Sequence, residues 1–192
     1  LVGSEMCIRD RVTGLRREGA GYAVVTPDGD YAAKAVILAT GAQHRRLGVA
    51  REEELAGNGV CYCAVCDGAF YKDRPVAVAG GGDAALQDAL LLSNGSSKVY
   101  IIHRRDEFRA EAANVSAARS RPNIEFCMSS RVAELEGEGE LTGLVIEPVS
   151  GGERRSIKVD GLFVAVGYEP ANAPFAELAH LDEAGWFAAG ED

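Results

Sequence analysis

The chain has 192 residues, 47% of them hydrophobic and 26% charged, with a formal net charge of -9. That length holds one substantial core or two small ones, the balance is that of a folded globular protein, and the negative charge argues against general binding to nucleic acid or a membrane surface. No apolar run reaches the ~20 residues of a membrane span and no signal peptide opens the sequence, so a cytoplasmic location is expected.

In chain order, Leu1 to Arg11 show no clear period and no partner for Cys7, and read as a segment foreign to the fold. From Val12 the chain reads as β structure. Residues 22–26 and 31–34 flank Pro27-Asp28-Gly29-Asp30, which suits a hairpin. The run Ala35-Val36-Ile37-Leu38-Ala39, ending in Thr40-Gly41-Ala42, reads as a strand buried on both faces. Residues 45–58 are polar and rich in glutamate and read as a connection, which sets a domain boundary near residue 55. Pro75 then opens a short β run, Gly80-Gly81-Gly82 follows, and Leu86, Ala89, Leu90 and Ser93 recur at helical spacing up to Asn94-Gly95. With residues 98–103 as the next strand, this is a strand, glycine turn, helix and strand unit, for which a right-handed crossover and parallel pairing are expected. Beyond it, residues 111–120 have helical composition, 123–128 read as a strand, 141–149 and 154–159 can pair across Ser150-Gly151-Gly152, and 161–167 form a further apolar run.

The glycine turn has the context that gives such a motif meaning. Gly80 permits a tight turn, Gly82 lets a pyrophosphate approach the backbone, and Ala85 allows close helix-strand packing while free N–H groups face the phosphates. An NAD site carries Asp or Glu about 20 residues after the glycines. Here that place holds His103, Arg104 and Arg105, with Arg109 following, and guanidinium groups suit a 2'-phosphate, so NADPH is expected over NADH. The bland alternative is a solvated basic edge neutralised by Asp106, Glu107 and Glu111.

Five cysteines are too few and too clustered for a secreted disulfide framework. Cys63 and Cys66, with two residues between them, can close a small disulfide ring, and thiols at this spacing often have depressed pKa values suited to exchange. Asp67 beside them can hold or deliver a proton. Zinc on Cys61, Cys63 and Cys66 is the rival, weakened by the lack of a second Cys or His cluster, and no metal is expected. Cys127 reads as a core side chain, and His44 and His180 as surface or structural residues.

Four segments in this order and spacing resemble the low-molecular-weight bacterial thioredoxin reductases of the pyridine nucleotide-disulfide oxidoreductase family. They are Cys63-Ala64-Val65-Cys66-Asp67-Gly68, Gly80-Gly81-Gly82-Asp83-Ala84-Ala85, His103-Arg104-Arg105-Asp106-Glu107-Phe108-Arg109-Ala110 and Val164-Ala165-Val166-Gly167-Tyr168-Glu169-Pro170. The resemblance runs from about Val12 to the end. It implies an α/β flavoprotein with a Rossmann-like NADPH-binding domain inserted into an FAD-binding domain. The divisions expected are residues 12–55 in the FAD domain, 56–168 in the NADPH domain with its dithiol, and 169–192 returning into the FAD domain. Electrons would pass from NADPH through FAD to the Cys63/Cys66 pair and on to oxidised thioredoxin. Cys63 would attack the thioredoxin disulfide, Cys66 would lie nearest the flavin and Asp67 would be the acid. Gly80, Gly82, Asp83, Ala85, His103, Arg104, Arg105 and Arg109 would hold NADPH, Thr40, Gly41 and Gly167 would belong to the cofactor sites, and the full-length protein would be a homodimer.

Some features depart from the family. No Gly-x-Gly-x-x-Gly unit for FAD precedes Val12, Gly190-Glu191-Asp192 does not supply the family's late flavin-binding turn, and Cys61 replaces a small residue without a thiol. A fragment, with a complete NADPH domain and pieces of the FAD domain on each side, is therefore expected. The alternatives are a non-catalytic NADPH-binding module unable to hold FAD and part of the flavoprotein subunit of an alkyl hydroperoxide reductase. Ferredoxin-dependent relatives have little use for the three arginines.

Overall fold

The computed structural model describes residues 11–188. The readings of residues 1–10, with Cys7, and of Gly190-Glu191-Asp192 lie outside the described residues. The chain divides into two compact units, one running to Gln43 and resuming at Tyr168, the other His44–Gly167. Residues 44–55 belong to the second unit, with Leu55 fully buried in its core.

In the first unit, β1 (Gly14–Glu18), β2 (Gly21–Thr26) and β3 (Gly29–Ala33) form an antiparallel sheet in that order. Thr26 pairs with Gly29, so the hairpin turns on Pro27-Asp28, and the Thr26 hydroxyl closes it by donating to the Gly29 carbonyl at 2.7 Å. The buried strand expected over residues 35–39 does not form. That stretch joins no sheet among the described residues, and Ile37 is 94% exposed. A strand covered on both faces needs a hydrogen-bonding neighbour and packed layers above and below, and apolar composition supplies neither.

The second unit is a Rossmann-like α/β arrangement. Its elements are β4 (Val60–Cys61), α1 (Ala64–Asp67), β5 (Pro75–Ala79), α2 (Asp83–Ser93), β6 (Lys98–Ile102), α3 (Ala112–Arg119), β7 (Ile124–Cys127), β8 (Ser130–Glu136), β9 (Gly143–Pro148), β10 (Arg155–Ile157) and β11 (Gly161–Val164). A five-stranded parallel sheet runs β4-β11-β5-β6-β7, and β10-β9-β8 make a separate antiparallel sheet. Alternation along β5 sorts its side chains. Ala77 and Ala79 join a core with Leu135, Leu144 and Ile157 of the antiparallel sheet, while Val76 and Val78 join Leu86, Ala89 and Ala118 of α2 and α3. Both faces are covered, which is why β5 reads in sequence as an unbroken apolar run.

The crossover from β5 through α2 to β6 and the end of α2 at Asn94 follow the sequence expectation. The sequence reading places no strand over β8. Its register on β9 shifts between Val145 and Ile146, so that Ile146 faces Val132 and Val145 faces Glu134. The bulge inserts Ala133, spaces the buried Val132 and Leu135 three apart, and destroys the period-two signal.

Candidate functional site

The glycine turn lies at the C-terminal end of β5. Gly80 has φ 152°, and a Cβ there would lie 2.3 Å from the Ala165 carbonyl oxygen and 2.8 Å from the Ala85 methyl. Glycine is obligatory at 80, and a small residue at 85 is what lets α2 come so close. Gly82 differs: a Cβ there meets nothing within 4 Å. It precedes an 11-residue helix whose first amides have no side-chain cap, so unpaired N–H groups and the positive end of the helix dipole face open space. That is a fit for a pyrophosphate. The Asp83 carboxylate is already engaged. It accepts from the Glu111 amide at 2.8 Å and the Asn114 side-chain amide at 2.7 Å, bonds that hold it below the usual carboxylate range and tie α2 to the start of α3.

Beyond β6, Arg104, Arg105 and Arg109 are exposed, and none makes an ion pair with another described residue. Asp106 and Glu107 do not neutralise them. The Arg109 amide donates to the Gly81 carbonyl at 2.9 Å, which sets the arginine segment beside the glycine turn. An open phosphate approach next to three unpaired guanidinium groups suits a nicotinamide nucleotide carrying a 2'-phosphate. His103 is placed differently from its arginine neighbours: the residue is 6% exposed, and Nε2 meets the Glu107 carbonyl at 3.1 Å.

Cys63 and Cys66 form a disulfide, with Cα atoms 5.3 Å apart. Cys63 caps α1, and its Sγ accepts from the Cys66 amide at 3.1 Å. When the bond is reduced, the same amide stabilises a thiolate on Cys63, the physical basis of a low-pKa nucleophile at this position. Cys66 is exposed, and Val65 and Phe70, 82% and 75% exposed, flank the pair with apolar surface. Ala64 of α1 sits in the same buried cluster as Leu86, Ala89 and Leu92 of α2, so the dithiol rests on the helix that follows the glycine turn.

Cys61 does not join the pair. It is buried, with Sγ 3.4 Å from the Tyr71 hydroxyl. Burial pushes its thiol up, the Tyr71 bond partly opposes this, and the Asp67 carboxylate facing it adds to the rise. Asp67, the last residue of α1, therefore faces a buried, protonated thiol. Cys127 is also a buried free thiol, raised chiefly by burial, as a core side chain should be.

Sequence reasoning missed Glu52. It is 3% exposed, and its carboxylate accepts from the Leu47 and Gly48 amides at 3.0 and 2.9 Å and from the Tyr62 hydroxyl at 3.0 Å. Burial, then the bond to Glu52 and its charge, push Tyr62 up to about 12. One buried carboxylate thus anchors both the loop entering this unit and the residue preceding Cys63. Within a run of three glutamates nothing in the sequence marks which one turns inward.

Thr40 and Gly41 belong to the first unit, where the Thr40 hydroxyl bonds the Asn172 side-chain oxygen and Asn172 Nδ2 donates to the Gly185 carbonyl at 2.9 Å. Gly41 is exposed with φ 68°. In the second unit, Gly167 has φ 107° and its carbonyl accepts from the Arg45 amide at 2.9 Å. Among the described residues of the first unit there is no α-helix. No helix among the described residues is long and apolar enough to cross a membrane.

A parallel sheet with a glycine turn, an uncapped helix after it and a Cys-x-x-Cys disulfide in one unit are the features of a nucleotide-binding dithiol protein. The chain belongs to the pyridine nucleotide-disulphide oxidoreductase family, whose model matches residues 3–190. It is similar to thioredoxin reductases: 46% identical over 80% of the chain to that of Streptomyces clavuligerus and 42% over 96% to that of Streptomyces coelicolor, covering 48% and 57% of those proteins. Among solved structures, a thioredoxin reductase of Lactococcus lactis matches 95% of the chain and 60% of its own, at 37% identity and a TM-score of 0.84. The chain spans about half the length of the curated relatives it matches.

Proposed function

We propose that the chain is the NADPH-binding and dithiol-bearing part of a thioredoxin-disulfide reductase. The observation that carries this reading is the Cys63–Cys66 disulfide in the same compact unit as an uncapped glycine-turn helix and three unpaired arginines. Gly80, Gly82 and Ala85 shape the pyrophosphate seat, and Arg104, Arg105 and Arg109 receive the 2'-phosphate. FAD, when bound in the whole protein, supplies the two-electron link between nicotinamide and disulfide. Asp83 acts at this seat by joining α2 to α3, and Thr40, Gly41 and Gly167 are assigned to the cofactor sites of the whole protein by the resemblance.

The thiol chemistry follows from the chain's own residues. The Cys63 thiolate attacks one sulfur of the thioredoxin disulfide, forming a mixed disulfide and releasing a thioredoxin thiolate, which takes a proton from the Asp67 side. The Cys66 thiolate then attacks the Cys63 sulfur, the Cys63–Cys66 bond re-forms, and the second thioredoxin thiolate leaves to be protonated. Two electrons pass from one dithiol to the other. The exposed Val65 and Phe70 beside the pair favour a protein partner, since apolar surface next to a reactive disulfide suits a docked protein better than a small thiol. A homodimer and a cytoplasmic location complete the reading of the whole protein.

Replacing Arg104 and Arg105 together by alanine tests the nucleotide assignment. NADPH affinity is expected to fall at least about tenfold, with NADH affinity nearly unchanged. Equal losses for both nucleotides would remove the 2'-phosphate from this site.

A further inference from the structure

Gly81 is the middle glycine of the turn, and its backbone does not explain it. Its φ lies outside the left-handed region, so any residue could adopt the conformation. The space is what is missing. A Cβ on Gly81 would lie 2.2 Å from both Cε1 and Nδ1 of His103 and 2.4 Å from Cγ, well inside van der Waals contact with the imidazole ring. Gly80 and Gly82 have other surroundings, a carbonyl and a methyl in one case and open space in the other.

The ring that occupies this place is fixed from every side. His103 follows the last residue of β6 with both backbone groups paired: its amide donates to the Cys127 carbonyl at 3.0 Å and its carbonyl accepts from the Ser130 amide at 2.9 Å. The ring stacks on Phe108, with centroids 5.4 Å apart and planes 13° from parallel, and Phe108 meets the edge of Phe126 at 5.8 Å. The Glu107 carbonyl takes Nε2–H at 3.1 Å, and Nδ1 faces Gly81. Both nitrogens are thereby used or covered. The strand end, the glycine turn and the segment from Arg104 to Arg109 are locked into one piece, closed by the bond from the Arg109 amide to the Gly81 carbonyl.

We propose that His103 is a positioning residue, a wedge seated on Gly81 that holds the arginine segment in register with the glycine turn and so sets the preference for a 2'-phosphate without touching it. The inference rests on the NADPH reading above and assigns His103 a different part in it from the arginines. A guanidinium clamp is worth its full charge-assisted bonds only when its mounting is fixed, and the ring fixes it.

The test is calorimetric binding of NADP+ and NAD+ to the purified chain and its variants. For His103→Ala, NADP+ affinity is expected to fall about tenfold with NAD+ affinity within about twofold of the parent. His103→Phe, which keeps the ring and loses both nitrogens, retains most of the preference. Gly81→Ala expels the ring and lowers the preference as His103→Ala does, and adding Gly81→Ala to His103→Ala costs nothing further, because the Cβ then has room. Equal loss in His103→Phe and His103→Ala would make the imidazole a direct phosphate ligand and overturn the wedge, as would additive effects of the two alanine variants. If circular dichroism shows His103→Ala unfolded, the other two single variants decide. A parent chain with no preference for NADP+ overturns the NADPH reading and this inference together, whereas a parent preference that survives His103→Ala and Gly81→Ala overturns this inference alone.

Discussion

Two apolar pentapeptides in this chain look alike in sequence and fare differently. Pro75-Val76-Ala77-Val78-Ala79 forms β5, between β11 and β6, with Val76, Ala77 and Val78 at 0% exposure. Ala35-Val36-Ile37-Leu38-Ala39 joins no sheet among the described residues, and Ile37 is 94% exposed. The composition of a run says that it can be buried, and its neighbours decide whether it is. For β5 the neighbours are close to it in sequence: α2 and β6 follow within thirty residues and cover it on one face and one edge.

The sharpest way to break this comparison is to spoil the cover of β5 while leaving its composition alone. Gly80→Val forces a side chain into the Ala165 carbonyl at a backbone conformation valine rarely adopts, and it should cost about 3 kcal/mol or more in urea denaturation. Gly82→Ala, in open space, should cost about 1 kcal/mol or less. Next, Val78→Ala should lose about 2 kcal/mol because it leaves a cavity between β5 and α2, whereas Ile37→Ser should move stability by less than about 0.5 kcal/mol. Equal effects of these two would mean that residues 35–39 are packed after all. Tyr62→Phe strands one acceptor of the buried Glu52 and should cost about 1 kcal/mol, read from the same denaturation curves.

The last effect is a slope rather than a step. Burial pushes His103 below its ordinary value of 6.5; the Glu107 carbonyl opposes this, and the charges of Arg105, Arg109 and Arg104 add to it. The unfolded chain therefore takes the proton first as pH falls. The His103 contribution is flat above pH 6.5 and stability declines as pH drops from there toward the folded value, a decline that His103→Phe should remove. A titration of the ring by NMR at or above 6.5 would contradict this account.

The contrast also explains what was legible. The glycine turn, α2 and β6 were readable because local spacing and local covering agree. The disulfide pair was readable because only two residues separate its cysteines. The hairpin was readable, but its turn was read as Pro27-Asp28-Gly29-Asp30, and Gly29 and Asp30 belong to β3 instead. Three features were hidden for physical reasons. A one-residue bulge erased the period of β8, the inward Glu52 is chosen by distant amides and a tyrosine hydroxyl, and the seat of His103 on Gly81 joins residues from two strand ends. Residues 35–39 misled because their apolar pattern carries no information about partners.

The most direct test of the central claim is to reduce the Cys66→Ser variant, remove the reductant, add oxidised thioredoxin, and look for a mixed disulfide by mass spectrometry of the intact proteins and their peptides. The account predicts a trapped complex joined through Cys63, and none from Cys63→Ser under the same conditions. A complex formed only by Cys63→Ser, or none by either variant, would contradict the assignment of Cys63 as the thiol that attacks thioredoxin.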